Sequence, residues 1–257
     1  MKRIQDLAVV RIERPVEGHV FLYLQSSSGL PEIAPGNFAQ IRIPGSTPVL
    51  LRRPFSIHDM DTMAHVLTFY IKIVGEGTRA LGSMKAGEKL SVIYPLGNSF
   101  TVRKGSRTLL VGGGSGIAPL KLLAKRLRES GCRMTLLFGG SSQEDVFYAG
   151  GFEEFGPVHL TTEDGSRGEK GLVTEHRLLK SWMDDLDIIY TCGPEPMMKA
   201  VARLATGCGI ECEASLENLM ACGFGVCLCC TTATPDGNLR VCMEGPVFNT
   251  KQLTWQT

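Results

Sequence analysis

Five cysteines fall within 21 residues near the C-terminus: Cys222, Cys227, Cys229, Cys230 and Cys242. Cys222, Cys227 and Cys230 make C-x4-C-x2-C, and Cys242 follows after eleven intervening residues. The spacing of the first three is that of plant-type [2Fe–2S] ligation. Two irons bridged by two sulfides need four thiolates converging from a compact stretch of chain. Gly223 and Gly225 let the backbone wrap closely there without Cβ clashes. Backbone N–H groups in such a loop can hydrogen-bond the sulfurs and tune their potential. Structural zinc is the alternative, but its sites are usually built from paired C-x2–4-C knuckles, and here only Cys227 and Cys230 form one of ordinary spacing. Cys229 is read as a small apolar filler, with a ligand set that uses it as the variant solution.

Four further segments carry possible chemistry. Gly112-Gly113-Gly114-Ser115-Gly116 follows a short apolar strand and opens a helix, where phosphates can approach the backbone and the positive helix end. It lacks the G-x-G-x-x-G fingerprint, because Ile117 stands at the third glycine, so a plain strand–helix turn is the competing reading. Cys192-Gly193-Pro194 follows the apolar stretch Asp187–Thr191, at a strand end where ligands bind in parallel sheets. A buried structural cysteine would look the same. Arg53-Pro54-Phe55-Ser56 offers a guanidinium fork, a stacking face and a hydroxyl. Gly75-Glu76-Gly77-Thr78 is a candidate phosphate nest, with Thr78 equally suited to capping a helix.

The elements that hold these segments change character along the 257 residues. Residues 1 to about 100 read as all-β, with short alternating runs at Leu7–Ile12, His19–Gln25, Phe38–Ile43, His65–Ile73 and Lys89–Ile93. Such spacing favours a barrel or sandwich. From about residue 105, strand and helix alternate: Thr108–Val111, a helix over Pro119–Ser130, Met134–Phe138 and Asp187–Thr191. That rhythm predicts a doubly wound parallel sheet. The second strand ends Phe138-Gly139-Gly140-Ser141-Ser142 with no Lys or Arg for a 2′-phosphate, and Glu144 and Asp145 lie just beyond, so NAD(H) is expected over NADP(H). Lys plus Arg number 27 and Asp plus Glu 26, which gives no electrostatic footprint for nucleic acid. No apolar run is long enough to span a membrane. Asp6, Arg11 and Glu13 interrupt any signal-peptide core, so the cytoplasm is the expected location. The five histidines are scattered and are assigned no role.

In this order and spacing, the Arg-Pro-Phe-Ser, Gly-Glu-Gly-Thr, Gly-Gly-Gly-Ser-Gly-Ile-Ala-Pro and Cys-Gly-Pro segments resemble the ferredoxin–NADP reductase superfamily across nearly the whole chain. The stretches Met220–Cys230 and Arg240–Phe248 are similar to the electron-transfer subunits of type B dihydroorotate dehydrogenase. The sequence departs from that pattern at Cys229 and in a somewhat short segment between Cys230 and Cys242.

The resemblance implies three parts: an FAD-binding six-stranded antiparallel barrel over 1–103, an NAD-binding α/β domain over 104–212, and a [2Fe–2S] domain over 213–257. Arg53, Pro54, Phe55 and Ser56 would contact the flavin and its pyrophosphate. Tyr70, Ile71 and Lys72 would line the flavin, and Gly77 and Thr78 would hold phosphate. Gly112, Gly113, Gly114, Ser115 and Gly116, with Cys192, Gly193 and Pro194, would frame the nicotinamide nucleotide. Cys222, Cys227, Cys230 and Cys242 would ligate the cluster. The implied partner is an FMN-containing catalytic subunit that interconverts dihydroorotate and orotate, in a heterotetramer serving pyrimidine synthesis. A reductase subunit serving a hydrogenase, a transhydrogenase or a ferredoxin is the alternative within the superfamily.

Overall fold

The structure, a computed structural model, describes residues 1–45, 49–181 and 185–256. The N-terminal part is one antiparallel sheet of seven strands: β1 (Arg3–Val16), β2 (His19–Gln25), β3 (Phe38–Ile41), β4 (Arg53–Ser56), β5 (Asp59–Asp61), β6 (Val66–Lys72) and β7 (Lys89–Leu96). Their order is β4-β3-β7-β1-β2-β6-β5, and α1 (Glu76–Gly82) lies between β6 and β7. Because β4, at one edge, comes into contact with β6, near the other, the sheet curls towards a barrel. Six strands were expected. The seventh, β5, is a three-residue strand formed where the chain leaving β4 turns back to pair with β6. Period-two alternation fills the interior: on β6, Leu67, Phe69 and Ile71 enter the barrel core with Leu7, Val9 and Leu22.

The intervening residues of β6 face the next domain. Tyr70 packs with Phe21 into the core that also holds Leu120, Leu123 and Leu127 of α2 (Leu120–Glu129). The barrel and the α/β part therefore share a continuous apolar contact. That second part is a sheet ordered β11-β10-β9-β8-β12-β13-β16, built from β8 (Arg107–Gly113), β9 (Arg133–Gly140), β10 (Val158–Thr162), β11 (Glu169–Lys170), β12 (Ile188–Cys192), β13 (Glu211–Ser215) and β16 (Val247–Asn249). All its pairings are parallel except β13–β16. Helices α3 (Leu178–Ser181) and α4 (Glu195–Gly207) follow β11 and β12. The chain runs outward from β8 through β9 and β10, then returns to the other side of β8 with β12, which puts the topological switch point between β8 and β12.

The cysteine-rich segment is less separate than its composition suggests. The expected boundary at 212/213 falls inside β13, and β16 adds the end of the segment to the nucleotide sheet. Its core joins Cys230, Val241 and Cys242 to Phe38 and Leu96 of the barrel and to Ala214 and Phe248. Between the cysteines lies a hairpin of β14 (Thr231–Thr234) and β15 (Gly237–Arg240).

His58, between β4 and β5, bridges the two larger domains: its Nδ1 lies 2.8 Å from the Ala118 carbonyl oxygen. Burial pushes its pKa down to about 4. The ring is neutral when folded and charges near 6.5 when unfolded, so it costs nothing at pH 7. Its penalty grows as pH falls from about 6.5 to about 4, reaching about 3 kcal/mol. His58→Gln can still donate to Ala118 but does not titrate. Thermal midpoints at pH 7 and pH 5 should diverge more in the natural protein than in the variant; equal losses would exclude His58 as an acid-sensitive contact.

Candidate functional site

A cleft opens at the switch point, where a nucleotide is expected. Gly112 on β8 is in register with Cys192 on β12, and Gly113 with Gly139 on β9. A Cβ at Gly116 would lie 2.2 Å from the Cys192 carbonyl oxygen, and one at Gly113 would lie 2.6 Å from Met197 Sδ. These glycines let the loop after β8 seat against the Cys192–Pro194 turn. Gly114 differs: it has φ +53° and open space where a side chain would point. Gly114 and Ser115, with Gly140, Pro194 and Met197, line a cleft of about 480 Å³. The sequence-expected loop and Cys-Gly-Pro turn are thus one site.

Lys72 reaches the same cleft from β6. Its ammonium pairs with Asp145, which also accepts from the Ser141 backbone N–H at 3.0 Å. Burial works to raise the Asp145 carboxyl, but Lys72 and the Ser141 N–H outweigh it and hold it below its usual range. Asp145 is therefore an inter-domain anchor rather than an unpaired charge guarding the nucleotide. The cleft's other carboxylates come from Glu163, 3.2 Å from Ser141 Oγ, and Glu217, and no arginine lines it among the described residues. Glu144 accepts from Ser142 Oγ at 2.6 Å. Tyr70 is 3% exposed, stacked on His19 at 5.7 Å and close to Phe21 and Phe147, while Ile71 points into the barrel. Lys72 lines this cleft; Tyr70 and Ile71, expected beside the flavin through side chain and backbone, do not.

Glu217 escaped the sequence reading. Its carboxylate lies 3.8 Å from the Cys192 sulfur at the start of the Cys192–Pro194 turn. Protein crowded round the carboxyl raises its pKa, and burial raises that of the thiol well above the ordinary range, so Cys192 stays protonated. Glu217 as a residue is exposed, so solvent screens its charge. Nothing in the spacing of Glu217 marks it; only the fold of the chain after β13 brings it to β12.

Arg53 and its neighbours form β4, an edge strand, where Pro54 costs no ladder hydrogen bond. The Arg53 guanidinium touches only backbone carbonyls, Leu51 at 3.2 Å and Arg52 at 3.5 Å, and makes no ion pair among the described residues. Arg52, by contrast, is committed to Ser91 at 2.6 Å. Thr78 Oγ1 accepts from the backbone N–H groups of Val74 and Gly75 at 2.9 and 3.0 Å, so its hydroxyl caps α1. An anion there would meet first-turn N–H groups instead. An anionic cofactor with a hydrogen-bonding ring thus has an uncompensated cation and an unpaired strand edge to bind.

The four expected thiols come together in two pairs. Backbone N–H groups of Phe224, Cys227 and Val226, together with the Cys227 thiol, outweigh burial and pull Cys222 down to about 6. The β14–β15 hairpin, with Thr231 opposite Arg240, returns the chain so that the Cys242 N–H meets Cys230 Sγ at 3.4 Å. Burial, then the neighbouring Cys230, push Cys242 up to about 12. The segment's shortness is thus that of a tight hairpin. Arg240 locks the arrangement, bonding Glu244 Oε1 at 2.5 Å and the Gly225 carbonyl at 3.2 Å. Cys229 is exposed and turns away to the Leu219 carbonyl at 3.6 Å. No group of three or more His, Cys, Asp or Glu side chains surrounds one ion position among the described residues. Thiols paired two and two suit a dinuclear centre, with two thiolates on each iron.

Comparison with known proteins agrees. Residues 217–254 match the iron–sulfur cluster binding domain of dihydroorotate dehydrogenase B, and residues 110–203 match the oxidoreductase NAD-binding domain. A dihydroorotate dehydrogenase B (NAD(+)) electron transfer subunit from Caldanaerobacter subterraneus subsp. tengcongensis is 40% identical over 83% of this chain and 84% of its own. One from Geobacillus sp. is 36% identical over 96% and 97%. Among solved structures, an NADH-dependent reduced ferredoxin-NADP oxidoreductase, studied for flavin-based electron bifurcation, superimposes with TM-score 0.86 at 29% identity, covering 97% of this chain and 90% of that one. The ferredoxin reductase of carbazole 1,9a-dioxygenase, at TM-score 0.70 and 22% identity over 81% and 67%, shares the fold. The paired thiols, the cleft at the switch point and these relatives lead to one assignment: the chain belongs to the family of dihydroorotate dehydrogenase B electron transfer subunits.

Proposed function

We propose that this chain carries electrons between NAD and the FMN of a dihydroorotate dehydrogenase catalytic subunit, in a cytoplasmic heterotetramer of two chains of each kind that serves pyrimidine synthesis. The observation that carries this reading is the pairing of four thiols beside the barrel's β3 in a chain whose nucleotide cleft opens at the other domain junction. Bound FAD supplies the exchange between two-electron hydride chemistry at nicotinamide and one-electron chemistry at a [2Fe–2S] cluster. The chain's own work is positioning. Gly114, Ser115 and the Cys192–Pro194 turn receive the nicotinamide nucleotide, Lys72 and Asp145 fix the domain angle, and Arg53 neutralises pyrophosphate. No described helix is long and apolar enough to cross a membrane.

The partner's docking face is the rim of the cysteine loop. Leu219, Phe224, Val226, Leu228 and Met243 are all exposed there, an apolar concentration that an isolated surface seldom carries. Leu228, between Cys227 and Cys229, has φ +56°, an uncommon conformation for a branched residue. Strain of that kind gathers at functional sites. Mixing the FAD- and cluster-loaded chain with the FMN-containing catalytic subunit should yield NAD-linked dihydroorotate oxidation that neither chain gives alone. A colourless, zinc-containing chain, or a coloured one that couples instead to ferredoxin, would overturn the reading; the bifurcating oxidoreductase neighbour makes the second outcome the specific rival.

Arg53→Ala should weaken FAD retention while sparing the cluster. A charge-assisted contact of this kind is worth about 1.5–3 kcal/mol, a ten- to hundredfold effect on affinity. Flavin-to-iron ratios after dialysis check it, and full flavin retention would make Arg53 purely structural.

A further inference from the structure

Neither the paired thiols nor the nucleotide cleft accounts for one buried polar group. Gln40 on β3 is 0% exposed, and neither Oε1 nor Nε2 has a hydrogen-bond partner among the described residues. Buried carboxamides are nearly always satisfied, so an orphan of this kind points to a partner supplied by a bound group. Its direction is set by the strand. Ala39 and Ile41 enter the barrel core, so Phe38 and Gln40 face out of it, and Phe38 packs into the core that holds Cys230 and Cys242. Gln40 itself lies against Gly223, the residue after Cys222: a Cβ at Gly223 would come within 2.6 Å of Gln40 Nε2. Across the sheet Gln40 is paired with Pro54 of β4. Gln40 thus sends its side chain to the cysteine loop while its backbone sits beside the strand that carries Arg53 and Ser56.

We propose that the Gln40 amide is a tuning residue for the iron–sulfur centre, its Nε2–H donating to a sulfur of the bound cluster. The inference rests on the reading that Cys222, Cys227, Cys230 and Cys242 hold a [2Fe–2S] cluster. The sulfurs of such a cluster are acceptors only, and their negative charge grows when the cluster takes up an electron. A donor aimed at them therefore favours the reduced state and raises the potential. A flavin edge is the other acceptor within the strand's neighbourhood, but the close approach to Gly223 and the burial of Phe38 with Cys230 and Cys242 favour the cluster.

The test is an EPR-monitored redox titration of the FAD- and cluster-loaded protein beside Gln40→Met, which keeps the side-chain length and removes the donor. The variant should keep its [2Fe–2S] signal and show a reduced-to-oxidised ratio about tenfold lower at fixed potential, which is 59 mV for a one-electron couple. Its flavin potentials should not move. In the natural protein labelled with 15N-glutamine, pulsed EPR of the reduced cluster should show a side-chain nitrogen coupling. That second measurement decides the matter even if Gln40→Met fails to assemble the cluster. An unchanged cluster potential, a shift confined to the flavin, or no glutamine coupling in the natural protein would overturn the inference. A loaded protein with no [2Fe–2S] signal at all would instead overturn the cluster reading beneath it.

Discussion

Cys230→Ser is expected to lose the cluster and abolish NAD-linked dihydroorotate oxidation by the assembled enzyme, while NADH-to-dye activity through FAD persists. Serine is a harder and poorer ligand for iron than thiolate, so each of Cys222, Cys227, Cys230 and Cys242 should behave alike. Cys230 is the most informative of them. It is 2% exposed, it accepts the Cys242 N–H at 3.4 Å, and it closes the second thiol pair. The nucleotide cleft lies at the junction of β8 and β12 and takes no residue from the cysteine loop, so hydride exchange there should survive. Cys229→Ser should be mild, because that side chain faces solvent and the Leu219 carbonyl. Iron content, the visible spectrum and paired dye-linked and dihydroorotate-linked rates distinguish the cases. Bleaching by Cys229→Ser with sparing by Cys230→Ser would reverse the ligand assignment. A cluster-free Cys230→Ser enzyme that still couples at full rate would remove the cluster from the electron path.

The parts that were legible in the sequence are those whose geometry is local. The C-x4-C-x2-C spacing announces its own loop, and Leu120, Leu123 and Leu127 recur at helical spacing over the segment that becomes α2. His19–Gln25 alternates as a strand and is one, with the expected bounds. The glycine loop and the Cys-Gly-Pro turn were each weak alone and come together only through the crossover that sets β12 beside β8. What stayed hidden depends on distant pairing. Asp145 read as a charge guarding the nucleotide, because nothing near it in sequence reveals Lys72 on the barrel. Glu217 meets Cys192 from 25 residues away, and Gln40 meets Gly223 from the far end of the chain. The β13–β16 pairing similarly ties the cysteine segment to the nucleotide sheet, although composition marks it as a separate piece.

The largest effect on assembly is expected from charge placed at the rim of the cysteine loop. Val226 is 75% exposed between Cys222 and Cys227, an apolar side chain left facing solvent. If the catalytic subunit covers it, Val226→Asp leaves a carboxylate desolvated and unpaired at the centre of an interface. Central interface positions commonly cost about 2–4 kcal/mol when disrupted, roughly thirty- to a thousandfold in affinity. Leu228→Asn separates side chain from backbone at the adjoining position: asparagine tolerates the φ of +56° better than leucine, so the loop keeps its shape while the apolar contact is lost. Both variants should retain iron, flavin and dye-linked activity, since neither residue is a ligand or lines the nucleotide cleft. Met63→Asp, on the turn between β5 and β6 and 89% exposed, is the control for a surface charge outside the cysteine segment. Affinity for the catalytic subunit, measured by titration, should collapse for Val226→Asp, weaken for Leu228→Asn and stay unchanged for Met63→Asp. Undiminished binding by Val226→Asp would move the docking face away from the cluster rim, and electrons would then have to leave this chain by another surface.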